Sequence, residues 1–479
     1  MKNFTKIILS ILFTLNLLPF TVSALTNVSG GIYANTTWTL NNSPYIVVGT
    51  VVVFPGVTLT IQPGVTVKFN DGMHIEIRQA TLIANGTSTD SITFTSNSNT
   101  PYRGIWDKIW LNQGSQLLSQ FNYCSFQYGK YSLYDAYYDS LIVKNSSFYN
   151  NIYALLDISG YSFKLDSSNF TYNTVGFAGG SSLLDNISNC NFKYNTVGLG
   201  DTSNDIDCTA TIRNCVIDSN QTGINYFNGI VDNCIIKYNQ TGLQTFAADF
   251  TTIKNCIIDS NVVVGLDFMG GAGLWPDTVF NNEIKYNGTG LINNGSAQDL
   301  FHHNIIQYNN IGIKLMVSGT IIYCNKICNN STWDLYYTIA FNNCSVADNN
   351  WCSTDSVTIH SHIYDGYTNI NLGLISVFPV DLNNCYLITG VNTPIVSQDA
   401  QIAIFPNPND GNFTLSFHSL SFNSQFIIKD ILGRSVYTHT INRIEGSETI
   451  DVSGLNNGIY FYQLTNSTEA VQGKFVLEK

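Results

Sequence analysis

The sequence predicts an all-β chain, a parallel β-solenoid followed by a small antiparallel β-sandwich. Two observations predict the solenoid. An apolar anchor recurs at Phe126, Phe148, Phe170, Phe192, Ile217, Ile236, Ile258, Ile284, Ile306 and Ile327, with spacings of 22, 22, 22, 25, 19, 22, 26, 22 and 21 residues. The apolar runs around each anchor are short and alternate with polar residues, which is the strand period. A third observation predicts the sandwich. The repeat stops near Cys385, and the remaining residues form alternating runs separated at ordinary turn spacing.

The N-terminus reads as a secretory signal. Lys2 and Lys6 precede an apolar run from Ile7 to Phe20, and Val22-Ser23-Ala24 fits cleavage after Ala24. Removing two lysines takes the net charge from −12 to −14. That charge disfavours nucleic acid and anionic membranes as partners. It also disfavours acidic glycans at long range, unless a basic patch or Ca²⁺ intervenes. No later stretch is long and apolar enough to span a bilayer.

Next come the opening turns. Gly49 to Phe69 carries two Pro-Gly turns between alternating runs. From Phe126 onward the positions around the anchor form columns. Two residues before the anchor stand Cys190, Cys215, Cys234 and Cys256, which read as stacked buried thiols, with Ser or Asn in other turns. Three after it stand Asn173, Asn195, Asn220, Asn239, Asn261, Asn287 and Asn309, which read as a ladder of amides from turn to turn. Six after it stand Gly176, Gly198, Gly223, Gly242, Gly290 and Gly312, marking either positive φ or a close backbone approach. A turn of this length cannot bury its own inward face and must stack on its neighbours.

Charges alternate in sign along two columns: Lys193, Asp218, Lys237, Asp259, Lys285, and Arg213, Asp232, Lys254. Opposite charges one turn apart set register, whereas a catalytic centre gathers like-signed carboxylates. Tyr172, Tyr194, Tyr238, Tyr286 and Tyr308 share a further column, and facing solvent they would make a strip suited to glycans. Two irregular turns draw attention. One carries Asp201, Asp205 and Asp207, either a Ca²⁺ site or a solvated acidic loop. The other carries Asp267, Trp275 and Asp277 in a Gly-rich loop that either meets a sugar or packs as an ordinary surface loop. His302 and His303 read as ladder positions. Cys324, Cys328, Cys344, Cys352 and Cys385 lie near the end of the repeat, where export permits a disulfide of open pairing.

From about residue 30 to 385 the pattern resembles the right-handed parallel β-helix family. Asn349-Asn350-Trp351, Ile363-Tyr364-Asp365 and Phe378-Pro379 are similar to segments that close such helices, although Cys352-Ser353 replaces the usual Gly after Trp. The tail opens on Phe405-Pro-Asn-Pro-Asn-Asp-Gly-Asn-Phe413. It continues through Ile428-Lys-Asp-Ile-Leu-Gly-Arg434 and Ile450 to Leu464, and ends on Gly473-Lys-Phe-Val-Leu-Glu-Lys479. In this order the blocks resemble the type IX secretion sorting domain. The resemblance implies export to the periplasm, passage through the outer membrane of a Gram-negative bacterium, and a translocon and sortase as partners. The expected organisation is a signal peptide over 1–24, a β-helix over 25–385, a linker over 386–401 and a sorting domain with an Ig-like sandwich over 402–479. Two functions are carried forward. One is a non-catalytic surface protein that binds an extracellular glycan. The other is a polysaccharide lyase or glycosidase, for which no clear column of clustered carboxylates is found.

Overall fold

A computed structural model describes residues 25–386 except 113–116, 136–139, 159–161, 180, 203–207, 246–250, 270–275, 296–297 and 383. It also describes 401–479 except 408, 419–423, 431–433, 442–445 and 466–469. The expected signal segment 1–24, most of the expected linker, Asp205, Asp207 and Trp275 lie outside the described residues. Two compact units are present, residues 1–185 with 193–208, and residues 186–192 with 209–479.

In the first unit a typical turn of solenoid has three strands, such as Ser140–Lys144, Ser147–Tyr149 and Tyr153–Asp157. Every strand pairs in parallel with the strand one turn later. Val143 faces Leu165, Phe148 faces Phe170 and Leu155 faces Phe177. The anchor column is therefore a buried stack of rings, with centroids 4.9 Å apart for Phe94–Phe126, 4.6 Å for Phe126–Phe148 and 4.5 Å for Phe148–Phe170. Such pairs add about 0.5–1.5 kcal/mol each beyond area burial. The two Pro-Gly turns lie between strands Tyr45–Val53, Thr58–Ile61 and Thr66–Phe69, with Gly56 and Gly64 at positive φ.

The second unit repeats the scheme, for example in Thr251–Lys254, Ile257–Asp259 and Val264–Phe268. Two buried ladders hold its turns together. Along the Asn column, each side-chain oxygen accepts two bonds from the preceding turn. Asn261 Oδ1 takes the Asn239 backbone N–H at 3.1 Å and its Nδ2 at 3.0 Å. Asn261 Nδ2 then donates to Ile236 O at 3.1 Å and Asn287 Oδ1 at 2.9 Å. The Cys column is the second ladder. Backbone N–H groups of Cys190, Cys215 and Cys234 point at the sulfur one turn on, at 3.4, 3.5 and 3.4 Å. From Cys256 onward Asn282, Asn304, Asn325 and Asn349 supply the acceptors. These thiols carry no disulfide.

Glycines serve close approach here. A Cβ on Gly242 would meet the Gly265 carbonyl oxygen at 2.4 Å, and one on Gly290 the Gly312 oxygen at 2.6 Å. Charged columns align as register pairs, with Asp218 opposite Lys237, Lys237 opposite Asp259 and Asp259 opposite Lys285. Asp232 receives both Arg213 at 3.8 Å and Lys254 at 3.6 Å. The solenoid closes on two disulfides, Cys324–Cys385 and Cys328–Cys352, while Cys344 stays a buried thiol. A short helix, Ser356–His360, is capped by Asp355, which accepts from Thr358 N–H. Asp365 then holds Tyr367 and Ile375 N–H groups at 2.9 and 2.8 Å.

The tail forms two antiparallel sheets. One joins Gln401–Phe405, Asn412–His418 and Gly446–Asp451. The other joins Ser435–Ile441, Ser424–Lys429, Gly458–Thr465 and Ala470–Leu477. Their inward residues, including Phe413, Phe426, Ile428, Tyr460 and Phe475, share one core. These seven strands are consistent with an Ig-like sandwich. Among the described residues no helix is long and apolar enough to cross a membrane.

Candidate functional site

Two left-handed residues bend each turn, and one of them creates the most distinctive surface. Between the second and third strands the corner residue has φ of 56° at Tyr172, 58° at Tyr194, 55° at Tyr238, 58° at Tyr286 and 60° at Tyr308. Left-handed backbone is uncommon outside glycine. Each of these tyrosines is followed by a buried Asn of the ladder, whose Nδ2 donates to a carbonyl of the preceding turn, as Asn239 does to Ile217 O at 3.1 Å. The same geometry throws each ring outward. Tyr172, Tyr194, Tyr238, Tyr286 and Tyr308 are 48, 53, 55, 58 and 48% exposed.

In the first unit the rings form a run. Tyr128 meets Tyr149 at 6.4 Å, Tyr149 meets Tyr172 at 5.8 Å, and Tyr172 stacks on Tyr194 at 5.2 Å. Arg103 arches over this corner and fastens it. Its guanidinium donates to Asn150 Oδ1 at 3.1 Å, to Tyr172 O at 2.7 Å and to Thr174 Oγ1 at 3.0 Å. In the second unit Tyr286 stacks on Tyr308 at 5.4 Å, and Lys237 Nζ lies 5.4 Å from the Tyr238 ring centre.

The outer face of the third strands is a second surface. In the first unit Lys108 Nζ sits 5.0, 6.0 and 5.2 Å from the ring centres of Trp110, Tyr131 and Tyr134. Tyr131 stacks on Tyr153, whose hydroxyl donates to Asp201 Oδ1 at 2.6 Å. Burial and that carboxylate push the Tyr153 hydroxyl up to about 12. In the second unit the corresponding face carries Gln244, Asp267, Ile292, Lys314, Tyr336 and Tyr364 on successive turns. Burial raises the Asp267 carboxyl above the usual range, opposed by the Gln244 amide at 3.2 Å and the charge of Lys314.

The sequence-nominated residues separate. Asp201 is buried under Tyr153 instead of lying in a solvated loop. Asp267 faces outward on a third strand. Asp277 is buried at the start of a first strand, where its Oδ1 accepts from Thr251 N–H at 2.6 Å. Burial and the neighbouring Asp299 charge raise the Asp277 carboxyl to about 7. Asp267 and Asp277 thus belong to different environments. His302 fills a ladder position, stacked between Phe280 and Tyr323. The Lys108 cluster and the Arg103 clamp went unnoticed in the sequence. The first is signalled only by Lys and aromatic residues at third-strand positions, and the second by nothing local.

Residues 403–478 match the secretion system C-terminal sorting domain. Residues 30–119 match the pectate-lyase like beta helix domain, and 107–275 and 185–304 match the right handed beta helix region. No curated protein matches the chain. The chain is a secreted β-helix protein bearing a type IX sorting tail.

Proposed function

We propose that this exported β-helix binds an extracellular glycan through its tyrosine corner, without cleaving it. One observation carries the reading: in each unit half-exposed tyrosines on adjacent turns share the corner, Tyr172–Tyr194 paired at 5.2 Å in the first and Tyr286–Tyr308 at 5.4 Å in the second. Exposed rings held rigidly by the backbone are costly in water and favourable under a sugar face, and they lose little entropy on binding. A Sec signal over 1–24 and a sortase acting on the tail complete the route to the outer surface of a Gram-negative cell.

A second reading, cleavage of a polysaccharide, draws on Asp267. A carboxyl of raised pKa on an open strand face, with Lys314 two turns away, is the kind of group that serves as a general acid. Binding on a glycan array, paired with an assay for new reducing ends, separates the two. The binding reading expects capture without release, and loss of capture when Tyr172 and Tyr194 are both changed to Ala. Release that disappears with Asp267→Asn would establish cleavage instead.

A further inference from the structure

Across four turns of the second unit, before Tyr308 follows Tyr286 directly, the corner alternates in chemistry as well as charge. Asp218-Ser219, Lys237-Tyr238, Asp259-Ser260 and Lys285-Tyr286 follow one another on consecutive turns. All four corner residues share the left-handed conformation, with φ of 56°, 55°, 54° and 58°. Direct stacking of these turns at the corner is fixed by Tyr238 N–H to Asp259 O at 3.2 Å and Ser260 N–H to Lys285 O at 3.1 Å. Tyr238 and Tyr286 are therefore two turns apart, with Ser260 between them. Two turns of parallel strands advance about 10 Å, close to the length of a disaccharide unit in an extended β-1,4-linked glycan.

The intervening turn carries hydrogen-bonding groups. Ser260 Oγ donates to Asp259 Oδ1 at 3.0 Å, leaving the other carboxylate oxygen for a sugar hydroxyl. Each ring comes with a lysine, Lys237 or Lys285. The strip pairs two lysines with two aspartates, and Glu283, bonded to Lys285 at 2.7 Å, adds one negative charge, so it gives no long-range attraction to a polyanion. A chain of net charge −12 adds repulsion.

We infer that the corner of the second unit takes a neutral, extended β-1,4-linked glycan laid along the stacked turns, one disaccharide per two turns. This rests on the glycan-binding reading and narrows it to linkage, charge and repeat. α-1,4 and β-1,3 linkages curl the chain and bring successive sugars out of step with the rings.

Calorimetric titration of the mature chain with cellohexaose, laminarihexaose, maltohexaose and a galacturonate hexamer tests it. Cellohexaose is expected to bind most tightly, and much more tightly than cellobiose, which spans one repeat. Tyr238→Ala and Tyr286→Ala are each expected to weaken binding by several-fold to about tenfold. Ser260→Tyr keeps a corner residue that neighbouring turns already accept, yet it fills the gap between the rings, and is expected to weaken cellohexaose binding. Equal affinity for the β-1,3 or α-1,4 hexamer, tighter binding of the galacturonate, or undiminished binding by Ser260→Tyr would overturn the inference. Binding of some other glycan through Tyr172 and Tyr194 alone would overturn it and leave the broader reading standing. Binding of no glycan would remove both.

Discussion

Replacing Asn261 with alanine removes one amide from the middle of the buried ladder. Its oxygen accepts two bonds, from the Asn239 backbone N–H and from Asn239 Nδ2. Its Nδ2 donates two, to Ile236 O and Asn287 Oδ1. Asn239 Nδ2 keeps its bond to Ile217 O, and Asn287 Oδ1 keeps the Asn261 backbone N–H. The Asn239 backbone N–H loses its acceptor, and the Ile236 carbonyl loses one donor. At about 1–3 kcal/mol for the stranded N–H, plus about 1 kcal/mol for the bond lost at Ile236, the cost is roughly 2–4 kcal/mol. Stacked turns interact chiefly with their neighbours, so the damage should stay local. Hydrogen exchange read by mass spectrometry should show lost protection in peptides spanning 236–287, with distant turns unchanged. Gln240→Ala, on the exposed side of the same corner, is the control and should change little. Unchanged protection across 236–287, or loss equal to that of the control, would refute the idea that the amide ladder holds the turns together.

Other consequences are open to measurement. The Cys324–Cys385 and Cys328–Cys352 bonds span 61 and 24 residues. Each should therefore add roughly 3–4 kcal/mol by restricting the unfolded chain, and reduction should lower the melting temperature and expose 324–385 to protease first. Asp277 has a folded pKa of about 7, above the unfolded value of about 4. The fold thus favours its protonated form, and its contribution is full at acid pH and lost as pH rises through about 7. Asp277→Asn should flatten the decline in stability between about pH 4 and pH 7, followed by urea denaturation across that range; an unchanged slope would contradict this. Truncation at Phe405 should leave the β-helix folded and abolish surface delivery, scored by protease accessibility on whole cells, and full display of the truncated chain would refute the role of the tail.

The solenoid was legible because a ladder needs the same residue type at the same place in every turn. Asn239, Asn261 and Asn287 repeat for the reason that makes them hydrogen-bond. The Cys column was legible as buried, and its exchange for Asn282 and Asn304 kept one acceptor facing one backbone N–H. The Gly column left two alternatives open, and close approach of the next carbonyl decided between them at Gly242 and Gly290. Disulfide pairing was not legible, because Cys324, Cys328, Cys352 and Cys385 lie where the period ends and only the path of the closing segment brings them together. Left-handed corners at tyrosine were hidden too, since tyrosine has no intrinsic preference for positive φ. Asp267 and Asp277 looked like one cluster because they are near in sequence. Between them the chain passes from a third strand to the first strand of the next turn, and the side chain points outward in one case and inward in the other.

Hydroxyl-radical footprinting of the mature chain, with and without a bound soluble glycan, tests the tyrosine corner most directly. Corner rings within a unit, Tyr172 and Tyr194 in the first or Tyr238, Tyr286 and Tyr308 in the second, are expected to lose reactivity, while Tyr33 and Tyr367, exposed elsewhere, keep theirs. Protection confined to Trp110, Tyr131 and Tyr153, with the corner rings still fully reactive, would place the ligand on the outer strand face and contradict the proposal.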